Sequence, residues 1–136
     1  GNFTRKEIQL LEKYLPLRYK HLAYLTNIEL NIEYNQSLCL VYPSLYEGFG
    51  IPVLEAMRSG CPVVAVNCSS IPEVAGNAAL LLENGDPFGI RQAVESLMVA
   101  ETREKYISKG VVQSAQFSWD ETYNKTMSVY DTLLDL

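Results

Sequence analysis

A chain of 136 residues fits one domain, and 48% apolar with 20% charged residues excludes a disordered polymer in favour of an ordinary globular core. Eleven Lys and Arg against sixteen Asp and Glu leave a net charge of −5, with the basic residues scattered. That excludes the basic footprint on which nucleic-acid binding depends.

No apolar run approaches the roughly 18 residues of a membrane span, and the N-terminus lacks a signal-peptide pattern. Cys39, Cys61 and Cys68 show no CxxC spacing and read as reduced core thiols. They point to the cytoplasm, with peripheral attachment to a membrane left open for a longer parent protein. The lone His21 lies in an apolar run and reads as a packing or surface residue, so no metal site is expected.

In chain order, residues 5–15 place Ile8, Leu11 and Leu15 on one face of an amphipathic helix. HLAYLT at 21–26 reads as a short strand. NIELNIEYNQ at 27–36 reads as a helix capped by Asn27, with Leu30 and Tyr34 at helical spacing. SLCLVYP at 37–43 is a near-continuous apolar run stopped by Pro43, the pattern of a strand buried on both faces. IPVLEAMRSG at 51–60 opens with proline and closes on glycine, as helices do. PVVAV at 62–66 is a second buried strand, SSIPEVAG at 69–76 a loop with a brief helical turn, and AALLL at 78–82 a third strand. PFGIRQAVESLMVA at 87–100 follows an NGD turn as a helix. Residues 102–115 and 119–135 are helical, the last carrying Tyr123, Met127, Tyr130, Leu133 and Leu134, with Trp119 as its anchor. The alternation predicts an α/β fold: a Rossmann-like parallel sheet flanked by helices, in a single domain over 1–136.

In such a sheet ligands bind outside the carboxyl ends of the strands, so the segment after SLCLVYP is where chemistry is expected. Gly48 and Gly50 let the backbone approach a ligand and lead into a helix whose free N–H groups suit an anion such as a diphosphate. Glu47 lies in the loop and Glu55 on the helix, and both carboxylates can face one crevice. A carboxylate offers two acceptor oxygens and so suits the vicinal hydroxyls of a sugar. The plainer alternative for Glu55 is a helix-dipole partner.

EGFGIPVLE, from Glu47 to Glu55, resembles the Glu, seven residues, Glu (EX7E) motif of family 4 retaining glycosyltransferases. PSLYEGFG, EAMRSGCPVVAV, SSIPEVAG, AALLLENGDP and the FSW at 117–119 are similar to that family in the same order, over residues 20–135. Ala23 departs from it, standing where a glycine is common. The resemblance implies part of the C-terminal, donor-binding domain of a GT-B glycosyltransferase. By it, Glu55 would hold the ribose of a nucleotide-sugar, a UDP- or GDP-sugar, and Glu47 would be the catalytic carboxylate beside the anomeric carbon. Gly48, Phe49 and Gly50 would present backbone N–H groups to the sugar or diphosphate. Reaction would retain anomeric configuration with no cofactor and no required metal. Two roles are open to Glu47, nucleophile and electrostatic support, and the glycosidase double displacement is not transferred. Glu73 matches a family glutamate but reads first as a helix-start residue, with donor contact as its alternative.

The family places an Arg and Lys pair after earlier strands, upstream of the first residue here, and the acceptor-binding N-terminal half also precedes it. These 136 residues alone are therefore expected to be catalytically silent. The acceptor half is the expected partner, and the apolar stripe of the last helix is expected to be exposed or covered by a second copy of the chain. The rival reading is a non-catalytic nucleotide-sugar or sugar-binding module, and the presence of both Glu47 and Glu55 argues for the enzyme.

Overall fold

The computed structural model describes residues 3–134. Its elements are α1 (Arg5–Tyr14), α2 (Asn27–Gln36), β1 (Leu40–Tyr42), α3 (Ile51–Arg58), β2 (Val63–Val66), α4 (Ile71–Ala75), β3 (Leu80–Leu82), α5 (Pro87–Ser96), α6 (Ala100–Ser114) and α7 (Trp119–Leu134). The chain divides into two compact units, residues 1–30 and 31–136.

In the first unit α1 opens on a capping box. The Thr4 hydroxyl accepts from the Glu7 N–H, and the Glu7 carboxylate accepts from the Thr4 N–H at 2.7 Å. Phe3 and His21 rings lie 4.4 Å apart, which gives His21 the packing role expected of it. HLAYLT at 21–26 is not a strand: a strand needs a ladder partner, and among the described residues the sheet contains β1, β2 and β3. The cap of α2 is Thr26 rather than Asn27, which is the first helical residue. Thr26 Oγ1 accepts from the Glu29 N–H, and Glu29 accepts in return from the Thr26 N–H at 2.8 Å.

In the second unit the sheet has the order β1-β2-β3, all parallel, with Val41 opposite Val64 and Ala65 opposite Leu81. This is the expected α/β arrangement. The central strand β2 is buried at all four residues. Its side chains alternate between two clusters. Val63 and Ala65 join Val53, Ala56 and Met57 of α3 and Ile71 and Val74 of α4, while Val64 joins Ala93 of α5 and Leu97. Burying a valine side chain contributes about 1.5–3 kcal/mol, so β2 is the energetic centre of the unit. β1, expected to be buried on both faces, is an edge strand here, and its central Val41 is 39% exposed.

Helix α3 ends in a Schellman turn: the Gly60 N–H donates to Met57 O and the Cys61 N–H to Ala56 O, with Gly60 at φ +72°. A Cβ on Gly110 would lie 3.2 Å from Met57 Cγ, so this glycine lets α6 pack closely on α3. Helix α5 stops at Ser96, four residues short of expectation. The Leu97 N–H reaches both Ala93 O and Val94 O as the last turn tightens, and α6 begins at Ala100. Trp119, expected to be an anchor, is 82% exposed, and Tyr123 and Tyr130 on the same helix are exposed as well. No helix is long and apolar enough to cross a membrane among the described residues.

Candidate functional site

Strand β1 ends at Tyr42, and the loop 43–50 carries the chain over the carboxyl edge of the sheet into α3. Gly50, the residue before α3, is buried and sits at φ +100°, where a Cβ would meet Ile71 Cδ1 at 2.7 Å. Only glycine turns the chain there without strain. The N-terminus of α3 has no side-chain cap and carries Pro52 in its first turn. Pro52 brings no N–H and the Val53 N–H donates to Gly50 O at 3.0 Å, so the first turn closes partly on its own backbone.

A second loop, between β2 and α4, grips the first. Ser69, at φ +54°, hydrogen-bonds through its hydroxyl to the Glu47 carbonyl and accepts from the Glu47 N–H. Ser70 Oγ lies 3.1 Å from Glu47 O and 2.9 Å from Phe49 O. Cys68 Sγ reaches Ser44 O at 3.3 Å. The backbone of residues 44–49 is thus fastened by three consecutive side chains.

Each carboxylate of the Glu47–Glu55 pair faces a tyrosine. Tyr42 donates its hydroxyl to Glu47 Oε1 at 2.6 Å, and the Tyr34 hydroxyl stands 3.5 Å from Glu55 Oε2. Hydrogen bonds from the Tyr42 and Ser44 side chains hold the Glu47 carboxyl below its ordinary value. Tyr42 is pushed up to about 12, first by burial and then by its bond to Glu47. Burial, and then the charge of Glu55, raises Tyr34 to about 12. Both rings pack against one core cluster. Sequence reasoning passed over both tyrosines. Tyr42 had left a trace, as a residue with a polar tip at the end of an otherwise apolar strand.

Phe49 and Glu55 also border a cleft of about 640 Å³ whose walls include Ile51, Leu54, Phe117 and Trp119. Phe49 and Phe117 meet edge to face at 5.9 Å. Arg58 donates to Ser114 O and Phe117 O, which ties the end of α3 to the turn before α7. Glu47, Gly48 and Gly50 lie outside this lining. Gly48, Phe49 and Glu55 are exposed and Glu47 is half-buried, and Gly48 has open space where a Cβ would stand. Glu73 lies exposed in the first turn of α4, in the helix-start position first read for it. Among the described residues no group of three His, Cys, Asp or Glu is placed to hold a metal ion. The three cysteines are free, and burial raises Cys61 to about 11.

Residues 2–111 match the family described as glycosyl transferases group 1. The chain belongs to that family. Similar group 1 relatives include the O-antigen chain mannosyltransferase B of Escherichia coli, 39% identical over 84% of this chain and 30% of that protein. Another is the D-inositol 3-phosphate glycosyltransferase of Corynebacterium diphtheriae, 33% identical over 75% of this chain and 25% of its own length. The chain thus spans less than a third of these relatives. In fold, this glycosyl transferase chain superimposes on sucrose-phosphate synthase from Thermosynechococcus elongatus with a TM-score of 0.85. That match covers 96% of this chain and 34% of the synthase at 22% identity. The fold is a Rossmann-like parallel sheet flanked by helices, that of the matched third of the synthase.

Proposed function

We propose that this chain is the donor-binding part of a retaining glycosyltransferase that moves a sugar from a UDP- or GDP-sugar to an acceptor. One observation carries the reading: the loop after the parallel strand β1 bears Glu47 and leads into α3 with Glu55, and each carboxylate stands against a tyrosine hydroxyl while keeping acceptor capacity for a sugar. Glu55 holds the ribose hydroxyls, Glu47 faces the transferred sugar, and Gly48, Phe49 and Gly50 offer N–H groups. Mannose is the sugar to test first, because relatives such as the Escherichia coli protein are named mannosyltransferases. The acceptor-binding half of a longer protein is the partner, and the exposed stripe of α7 is where it would lie. Chemistry at the anomeric carbon needs both halves, so the 136 residues alone transfer no sugar. Donor hydrolysis by the purified chain, abolished by Glu47→Ala, would contradict this.

The test is calorimetry on a full-length protein carrying this chain, with a nucleoside diphosphate lacking sugar. Glu55→Ala should weaken binding by about ten- to a hundredfold, the usual worth of hydrogen bonds to a charged group, and Glu47→Ala should hardly change it. Equal losses, or a loss confined to Glu47→Ala, would show the assigned roles to be wrong. A helix-dipole role for Glu55 predicts a lower melting temperature and unchanged affinity instead.

A further inference from the structure

Glu47 is held twice. Ser69 and Ser70 fasten its backbone, and the Tyr42 hydroxyl donates to its Oε1 at 2.6 Å. Tyr42 cannot easily follow a moving carboxylate, because it is the last residue of β1, pairs with Ala65 of β2 and rests on the core cluster through its ring. A phenol on a rigid strand is thereby aimed at a carboxylate on an exposed loop. A carboxylate has about four lone-pair sites, so one bond to Tyr42 leaves acceptor capacity for a ligand.

We propose that Tyr42 is a positioning residue for sugar transfer: by donating its hydroxyl hydrogen to Glu47 Oε1 it fixes the direction of the carboxylate. This rests on the donor-site reading above, since it gives Glu47 the sugar to face. The groups around the pair come from every neighbouring element. Tyr34 of α2 stands near Tyr42 and reaches towards Glu55 of α3, Cys61 stands near Tyr34, and Ser44, whose hydroxyl donates to Tyr46 O, adds to the lowering of the Glu47 carboxyl from the loop itself. The Glu55 carboxylate stands 3.5 Å from the Tyr34 hydroxyl. Tyr42 therefore acts on Glu47 directly, and Tyr34 serves the other carboxylate.

The experiment uses a full-length protein carrying this chain, its Tyr42→Phe and Glu47→Gln variants, and a form with 3-fluorotyrosine at position 42. Turnover of the donor is followed against pH, and the Glu47 carboxyl is titrated by carbon-13 NMR, assigned with Glu47→Gln. Tyr42→Phe keeps the ring and loses only the donor. It should lower kcat about tenfold with KM nearly constant, move the acid limb of kcat upward, and raise the Glu47 midpoint towards the ordinary carboxylate value. Fluorotyrosine, a stronger donor of almost the same shape, should move that midpoint down without depending on how well the Phe variant folds. An unchanged Glu47 midpoint in both forms overturns the proposal. So does an unchanged kcat in Tyr42→Phe when Glu47→Gln has lost turnover. Full turnover by Glu47→Gln would instead sink the donor-site reading, and the titration would still decide whether Tyr42 holds Glu47.

Discussion

Gly48 and Gly50 look alike in the sequence, and the structure separates them. Gly50 occupies φ +100° with Ile71 Cδ1 where its Cβ would be, whereas Gly48 has open space. Gly50→Ala should therefore destabilise the protein by about 1–3 kcal/mol, the usual cost of forcing an L-residue into such a conformation against a packed neighbour. Gly48→Ala should stay within about 0.5 kcal/mol of the parent in denaturant unfolding. Equal losses would show that both glycines are structural. The distinction was hidden from sequence because it is made by Ile71, which lies in another element 21 residues away. The same holds for Ser69 and Ser70: their hydroxyls act on Glu47 across the gap between two loops, a contact that periodicity cannot register.

At the scale of elements, what local chemistry specifies was legible and what partners specify was not. The β-branched run of β2, the proline and glycine around α3 and the NGD turn before α5 each announced an element that is present. HLAYLT has strand composition but no ladder partner among the described residues, and β1 is apolar although it lies at an edge. Caps are local, yet two candidates sat side by side at α2. Thr26 wins because its hydroxyl and N–H both engage Glu29, three residues on, as a capping box requires. Asp86 gives a clean test of the same physics. Its Oδ1 accepts from the Gly89 N–H at 2.8 Å at the start of α5. Asp86→Ala should cost about 1 kcal/mol, and Asp86→Ser should recover most of it, by thermal melting. If alanine melts like the parent, α5 is held by Ala93 and Leu97 packing on β2 alone.

For the whole molecule the shifted groups predict a stability plateau with two edges. Glu7, Glu29 and Glu47 all sit below their ordinary value of 4.5, the first two because they accept from the N–H and hydroxyl of Thr4 and Thr26 and the third because of Tyr42. A carboxyl depressed in the native state binds fewer protons there than in the unfolded chain, so its stabilisation is complete above about pH 4.5 and is lost as pH falls through the native value. Tyr34 and Tyr42 run the other way. Raised from 10 to about 12, they favour the native state fully below pH 10 and lose that contribution as pH climbs towards 12, with Cys61 adding to the loss between 9 and about 11. The melting temperature should thus be level between these edges and fall on either side. Glu7→Gln with Glu29→Gln should make the acid fall shallower, and Tyr34→Phe with Tyr42→Phe should do the same for the alkaline fall while leaving the plateau flat. Melting curves from pH 3 to 11.5, followed by circular dichroism, separate the two limbs. An alkaline limb unchanged by removing both phenols would mean that their hydroxyls are not shielded by the core, and that the tyrosine contacts to Glu47 and Glu55 are looser in solution than 2.6 and 3.5 Å.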